Sequence, residues 1–371
     1  MFGTKKEEVS QALLGVDLGT TGLKVVELAP DAGRIRLVTY GYADIPFGGD
    51  ASALSIDEPK KLAEVLRSII KASGMKATKA VASLPAQSVF HAIISIPAPK
   101  SLKDDIRPLV EVQAGKLLPL PVAEMIIDSH IIDKDFLPKE GAPAPAADAP
   151  AEQKVKTVRV QVTAAPKALV EKYLAVFALA KIELISLETE VFALMRSLIG
   201  KDNAKTMIVD IGGDRTNILI AERGVPYLTR GIKSGGGAVT QALSGAMSIG
   251  LPEAEATKKD LALSAGSAMP PAILAAIKPL LHEVKYALDI NLQENTQRPM
   301  PVDKVILTGG SAALAGIDAA MTSTLNMNVY IGDPWARVAT PPESRAVLDE
   351  VGSRLAVAIG LAMRVVPEKD K

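Results

Sequence analysis

Alternation of apolar and polar positions, broken by glycine and proline, divides this chain into strands and helices along nearly its whole length. Leu13 to Leu28 reads as two buried strands joined by a Gly19-Thr20-Thr21-Gly22 turn, because apolar residues run on both sides of it. Arg34 to Tyr42 alternates at period two and predicts a third strand. Leu62, Val65, Leu66, Ile69 and Ile70 recur at helical spacing, with Asp57 as the expected N-cap and Gly74 just past the end. Ala80 to Leu84 returns to the sheet. Val89 to Ile96, a helix over 102–117 and Met125 to Ile132 follow, and then Val158, Val160 and Val162 alternate with polar neighbours as a further strand. Helices are predicted over 167–180 and 189–199, flanking a strand over 183–187. Beyond them come helices over 236–249, 252–264 and 270–292, a helix opening at 313–317, a short strand over 329–331 and a last helix over 353–365.

Within that pattern one design occurs twice. Met207-Ile208-Val209-Asp210-Ile211-Gly212-Gly213 ends a strand in a carboxylate and a glycine pair before apolar residues resume at Ile218. Two adjacent glycines let the backbone turn sharply and bring unshielded N–H groups against an anion such as phosphate. Leu14-Gly15-Val16-Asp17-Leu18-Gly19 repeats the arrangement roughly half the chain earlier, which predicts two related domains facing each other. One Asp-Gly turn alone would equally suit an ordinary hairpin. A third element, Val305-Ile306-Leu307-Thr308-Gly309-Gly310-Ser311, is a β-branched strand running into a glycine pair, a form that holds an adenosine or phosphate group at a strand's carboxyl end.

Composition narrows the classes. A chain of 371 residues exceeds one core, and 48% hydrophobic residues can fill two or more. The 42 basic and 42 acidic side chains cancel, which argues against broad nucleic-acid binding. With no cysteine there are no disulfides or thiolate metal sites, and His91, His130 and His282 are scattered as structural residues would be. No window approaches the roughly 18 apolar residues of a membrane span, so a cytoplasmic protein without direct membrane insertion is expected. Pro138 to Gln153, rich in proline and alanine, predicts a disordered hairpin loop.

The three glycine motifs in this order resemble the actin-like ATPase superfamily, and Tyr227-Leu228-Thr229-Arg230, Gly235-Gly236-Gly237-Ala238-Val239-Thr240, Glu253 to Lys258 and Glu111 to Pro121 are similar more closely to the PilM family of type IV pilus assembly, a relative of FtsA. That resemblance implies an α/β fold of duplicated ribonuclease H-like domains. The first actin-like domain would span 12–85, completed by a C-terminal helix at 341–366; a small α+β subdomain would be inserted at 86–165; interdomain helices would occupy 166–200 and the second domain 201–340.

It also implies the cofactors ATP and Mg²⁺. Magnesium prefers carboxylates and retained waters, which Asp17 and Asp210 on facing turns would supply. Gly19, Thr20, Thr21 and Gly22 would wrap the phosphates from one side, Gly212, Gly213, Asp214 and Thr216 from the other. Lys24 would add a charge there or form a surface or interdomain salt bridge. Gly309, Gly310 and Ser311 would hold the adenosine over Gly236, while Glu255 and Lys258, three apart on one helical face, would reach the ribose or form a solvated pair. Glu188 matches the interdomain-helix carboxylate that orients water in the chaperone ATPases, with Glu190 beside it. The second loop departs from DxGGGTxD, carrying Asp214 at the third glycine, Arg215 at the threonine and Asn217 at the final acid. ATP binding with at most slow hydrolysis is therefore expected.

As to role, the resemblance implies a cytoplasmic scaffold in which ATP sets the shape of a groove between the first domain and the inserted subdomain. The N-terminal cytoplasmic tail of a PilN-type inner-membrane protein would occupy that groove and recruit the scaffold to the membrane. Other pilus-assembly subunits and further copies of the chain are compatible partners. FtsA-like cell division is the nearest alternative, but FtsA ends in an amphipathic membrane helix and this sequence stops at Glu368-Lys369-Asp370-Lys371. A small-molecule kinase would need a second-substrate pocket with an acid or base near the γ-phosphate, and no such constellation is found.

Overall fold

The computed structural model describes residues 12–45, 54–99, 105–132, 157–263, 269–294 and 301–366; the loop expected at Pro138 to Gln153 lies outside them. Two compact units emerge, Met1–Ala86 together with Lys172–Lys371, and Gln87–Glu171.

The larger unit contains two sheets. The first is built from β1 (Leu13–Gly19), β2 (Gly22–Asp31), β3 (Arg34–Asp44), β4 (Lys79–Leu84), β8 (Glu183–Thr189) and β14 (Val338–Ala339), in the order β14-β3-β2-β1-β4-β8. The second contains β9 (Thr206–Ile211), β10 (Thr216–Glu222), β11 (Val225–Ile232), β12 (Lys304–Thr308) and β13 (Val329–Ile331), in the order β11-β10-β9-β12-β13. In each, three antiparallel strands form a meander and two parallel strands extend it from the strand that carries the aspartate. The duplication expected from the two aspartates thus extends to whole sheets, the actin-like architecture.

Burial explains the composition of these strands. β1 and β9 are covered on both faces, hence their nearly unbroken apolar runs. One core lies beneath the second sheet and joins Val209, Ile218 and Val305 to Val239, Leu243, Ile277 and Val284 from helices α5 (Gly236–Met247) and α7 (Pro271–Glu294). Another fills the space between the sheets. There Leu13 and Val81 of the first meet Ile208, Leu219 and Ile306 of the second, with Val191 and Leu194 from α4 (Glu190–Leu194, continued by a π turn through Ile199) and Leu361 from α9 (Arg345–Ala362). α4 and α9 cross with backbone against backbone: a Cβ on Gly360 would stand 1.9 Å from the Ala193 carbonyl oxygen.

Several boundaries differ from the sequence reading. α1 (Pro59–Ala72) places Pro59 in its first turn and Glu58 at the N-cap, while Asp57 pairs with Lys172 instead of capping. Its end is as expected, with Gly74 at φ +66 just beyond. α3 (Lys167–Ala180) spans the range its apolar spacing predicts. The pattern at 313–317 does not open a helix. Gly316 adopts φ +79, which no right-handed helix accommodates, so α8 (Ile317–Leu325) starts only after it. α9 begins eight positions before the 353 that apolar spacing predicts, its first two turns being more polar, and four after the 341 that the resemblance implies.

The smaller unit is a three-stranded antiparallel sheet, β5 (Phe90–Pro97), β7 (Thr157–Pro166) and β6 (Met125–Ile131), in the order β5-β7-β6. Val158, Val160 and Val162 face α2 (Arg107–Ala114), a shorter helix than the one expected, through Val110 and Ala114.

Candidate functional site

Asp17 and Asp210 end β1 and β9, the corresponding central strands of the two sheets. Lys24, opposite Asp17 in the β1–β2 register, donates from Nζ to Asp17 Oδ2 at 3.3 Å, and Ser83 donates its hydroxyl to Oδ1 at 3.0 Å. Burial pushes Asp210 up to about 6, the charge of Asp17 adds to that, and Lys24 opposes it. The two aspartates therefore feel each other across the gap between the halves. Two carboxylates with waters are a donor set that a magnesium ion accepts, and Asp17 and Asp210 would hold it there, its charge relieving this repulsion. Among the described residues no three His, Cys, Asp or Glu side chains form a metal cage, so such an ion would depend on waters and phosphate for its other ligands.

The turns flanking the aspartates meet as well. A Cβ on Gly213 would stand 2.5 Å from the Thr21 methyl, so only glycine admits the first turn this closely. Gly22 lies against Asp44, Gly19 against the Lys24 ammonium, and Thr20 is exposed at the tip. In the second turn Gly212 donates to the Arg215 carbonyl at 2.9 Å, and the first amides of α5 close the loop: Gly236 donates to Gly212 and Gly237 to Gly213. Asp214 is exposed. The Thr216 hydroxyl is turned away and donates to the Ser234 carbonyl at 2.8 Å, so it fixes the loop rather than facing the gap.

The third motif completes the enclosure. Gly309, at φ +91, passes so near the second turn that a Cβ would stand 2.4 Å from Ile211 O and 2.6 Å from Asp210 Oδ1. Ser311 donates to Ile211 O through its amide and to Gly212 O through its hydroxyl. Gly310 lies beside Arg354 of α9. Gly236 separates Ser311 from Lys258 of α6 (Leu251–Leu263), whose ammonium donates to Glu255 at 2.6 Å, to the Thr240 hydroxyl at 3.0 Å and to the Gly236 carbonyl at 3.3 Å. Glu255 and Lys258 thus form a largely buried pair against Gly236 and Thr240 of α5 instead of a solvated one.

Glu188 does not join this group. At the edge strand β8 it accepts from Arg196 at 2.7 and 3.0 Å, with Arg364 3.5 Å away. The carboxylate facing the aspartates is Glu190, the first residue of α4. Its Oε2 accepts from the Ala86 amide at 3.2 Å and from Asn217 Nδ2 at 2.9 Å, which ties the two halves together. Burial, then Asp17 and Asp210, push Glu190 up to about 8. Asn217 and Ser83 carry no motif of their own. Asn217 was visible only as a departure at the final acid of the second loop.

A family model described as type IV pilus assembly protein PilM matches residues 15–366. Among solved structures, the PilM–PilN type IV pilus biogenesis complex superposes with TM-score 0.75 at 24% identity, over 96% of this chain and 99% of that one. The MamK double helical filament aligns with TM-score 0.51 at 14% identity over 97% and 99% of the two chains. MreB5 of Spiroplasma citri bound to ADP gives 0.51 at 12% identity over 96% of each. All three are likenesses of fold. No helix among the described residues is long and apolar enough to cross a membrane.

Proposed function

Because this chain belongs to the PilM family of type IV pilus assembly proteins, we propose that it is an ATP-binding scaffold of pilus assembly that takes the cytoplasmic tail of a PilN-type inner-membrane protein. The meeting of the two aspartate-bearing turns, Gly213 against Thr21, from two copies of one sheet supports the nucleotide part of this reading. The partner part is supported by the likeness to the PilM–PilN complex, and binding that tail would hold a cytoplasmic protein at the inner face of the inner membrane.

Asp17 and Asp210 would hold Mg²⁺, whose charge would screen the phosphates. The glycine-rich turns would enclose the phosphates, and Gly309 to Ser311, with Gly236, Glu255 and Lys258, would take the adenosine. Glu190, set by Asn217 and the Ala86 amide, would orient a water for in-line attack. Its high proton affinity fits slow turnover, since a protonated carboxyl is a poor base. Titration calorimetry with ATP and excess Mg²⁺ tests the site. Wild-type protein binds, and D17N and D210N each lose about tenfold or more in affinity. Absence of ATP binding by the wild type would remove the nucleotide role. A pull-down with the PilN tail peptide tests the partner separately.

A further inference from the structure

Arg215 departs from its expected motif in a way that the activity proposed above does not use. A threonine belongs at this position in the motif; here a longer cation stands in the turn between Asp210 and Asn217. Side chains alternate along β10. The Thr216 hydroxyl goes to Ser234, on the α5 side, and Asn217 goes to Glu190, on the cleft side. Arg215 lies one residue before β10, in the loop that carries Gly212 and Gly213.

The chemistry there is unbalanced. Arg215 is half-buried, its Nε is fully buried without an acceptor, and no hydrogen bond or ion pair of its side chain occurs among the described residues. Lys24, and not Arg215, is the cation acting on Asp210 and Glu190, which leaves the Arg215 charge uncommitted to these carboxylates. A buried guanidinium N–H without an acceptor is unfavourable unless an anion arrives. The planar fork of a guanidinium matches phosphate oxygens, and phosphate is the anion this loop is shaped to admit.

We propose that Arg215 reads the terminal phosphate of the bound nucleotide, taking its oxygens with the guanidinium and so making the protein prefer nucleoside triphosphate to diphosphate. This rests on the nucleotide reading above and adds to it the residue that distinguishes the two states. Arg215 is a binding residue here; the orientation of water remains with Glu190.

Calorimetric affinities for Mg-ATP and Mg-ADP, measured in parallel on wild type, R215A, R215M and R215K, test it. R215M keeps the aliphatic stem, so loss of packing is separated from loss of charge. R215A and R215M should bind ATP about 10- to 100-fold more weakly and ADP less than about threefold more weakly, with R215K in between because it keeps the charge without the fork. Melting temperatures of R215A and R215M without nucleotide should equal or exceed that of wild type, since the unpaired buried N–H is gone. Equal factors for ATP and ADP in both R215A and R215M, or no change in either, would overturn the inference while leaving the nucleotide site in place. A wild type that binds neither nucleotide would remove both.

Discussion

Replacing Glu190 with glutamine tests the electrostatics of the cleft without any ligand. The glutamine carbonyl can still accept from the Ala86 amide and Asn217, so E190Q changes charge more than contacts. Below about pH 4.5 the carboxyl is protonated in both folded and unfolded chains and contributes no difference. Between there and about pH 8 the folded protein holds a proton that the unfolded chain has released, so stability falls as pH rises; above about 8 the penalty is complete. For a sealed carboxyl the shift corresponds to roughly 5 kcal/mol. Glu190 is only half-buried and open to cleft solvent, which screens it, so about 2–3 kcal/mol is expected. In a chain of this length that is roughly 3–6 °C of melting temperature. Scanning calorimetry in EDTA without nucleotide should show E190Q melting with wild type at pH 5 and several degrees above it at pH 8.5. An equal difference at both pH values would refute the assignment of a proton-holding carboxylate at this position.

Two further substitutions separate support from binding. E188Q weakens the pairing of a nearly buried carboxylate with Arg196 and Arg364 and should lower the melting temperature by about 2–5 °C, while ATP affinity by calorimetry stays within about threefold. G309A forces a Cβ into positive φ and against the Ile211 carbonyl and Asp210, so thermal melting should fall by several degrees and ATP affinity should fall with it.

The parts legible in sequence were those where chemistry forces an amino-acid type locally. The two strands that carry Asp17 and Asp210 were legible because a carboxylate near a strand's end followed by glycine is spelled out within a few residues, and the duplication of that spelling extended to the sheets. The choice between Glu188 and Glu190 was not legible in the same way. It depends on Arg364, far along the chain, and on Asn217 in the other sheet, and on where β8 yields to α4. Gly316 shows the reverse error: apolar spacing implied a helix, and one left-handed residue postponed it. Thr216 was expected to wrap the phosphates, but it opens β10 and its hydroxyl goes to Ser234, eighteen positions away, a partner its own motif does not announce.

Main chain rests directly on main chain where Gly360 crosses Ala193, with no side chain between them to act as a cushion. That crossing is a bearing: one helix can roll on the other, but neither can be shimmed. A methyl group added there would wedge α4 outward, and the first thing displaced would be its leading residue, Glu190, a single turn away.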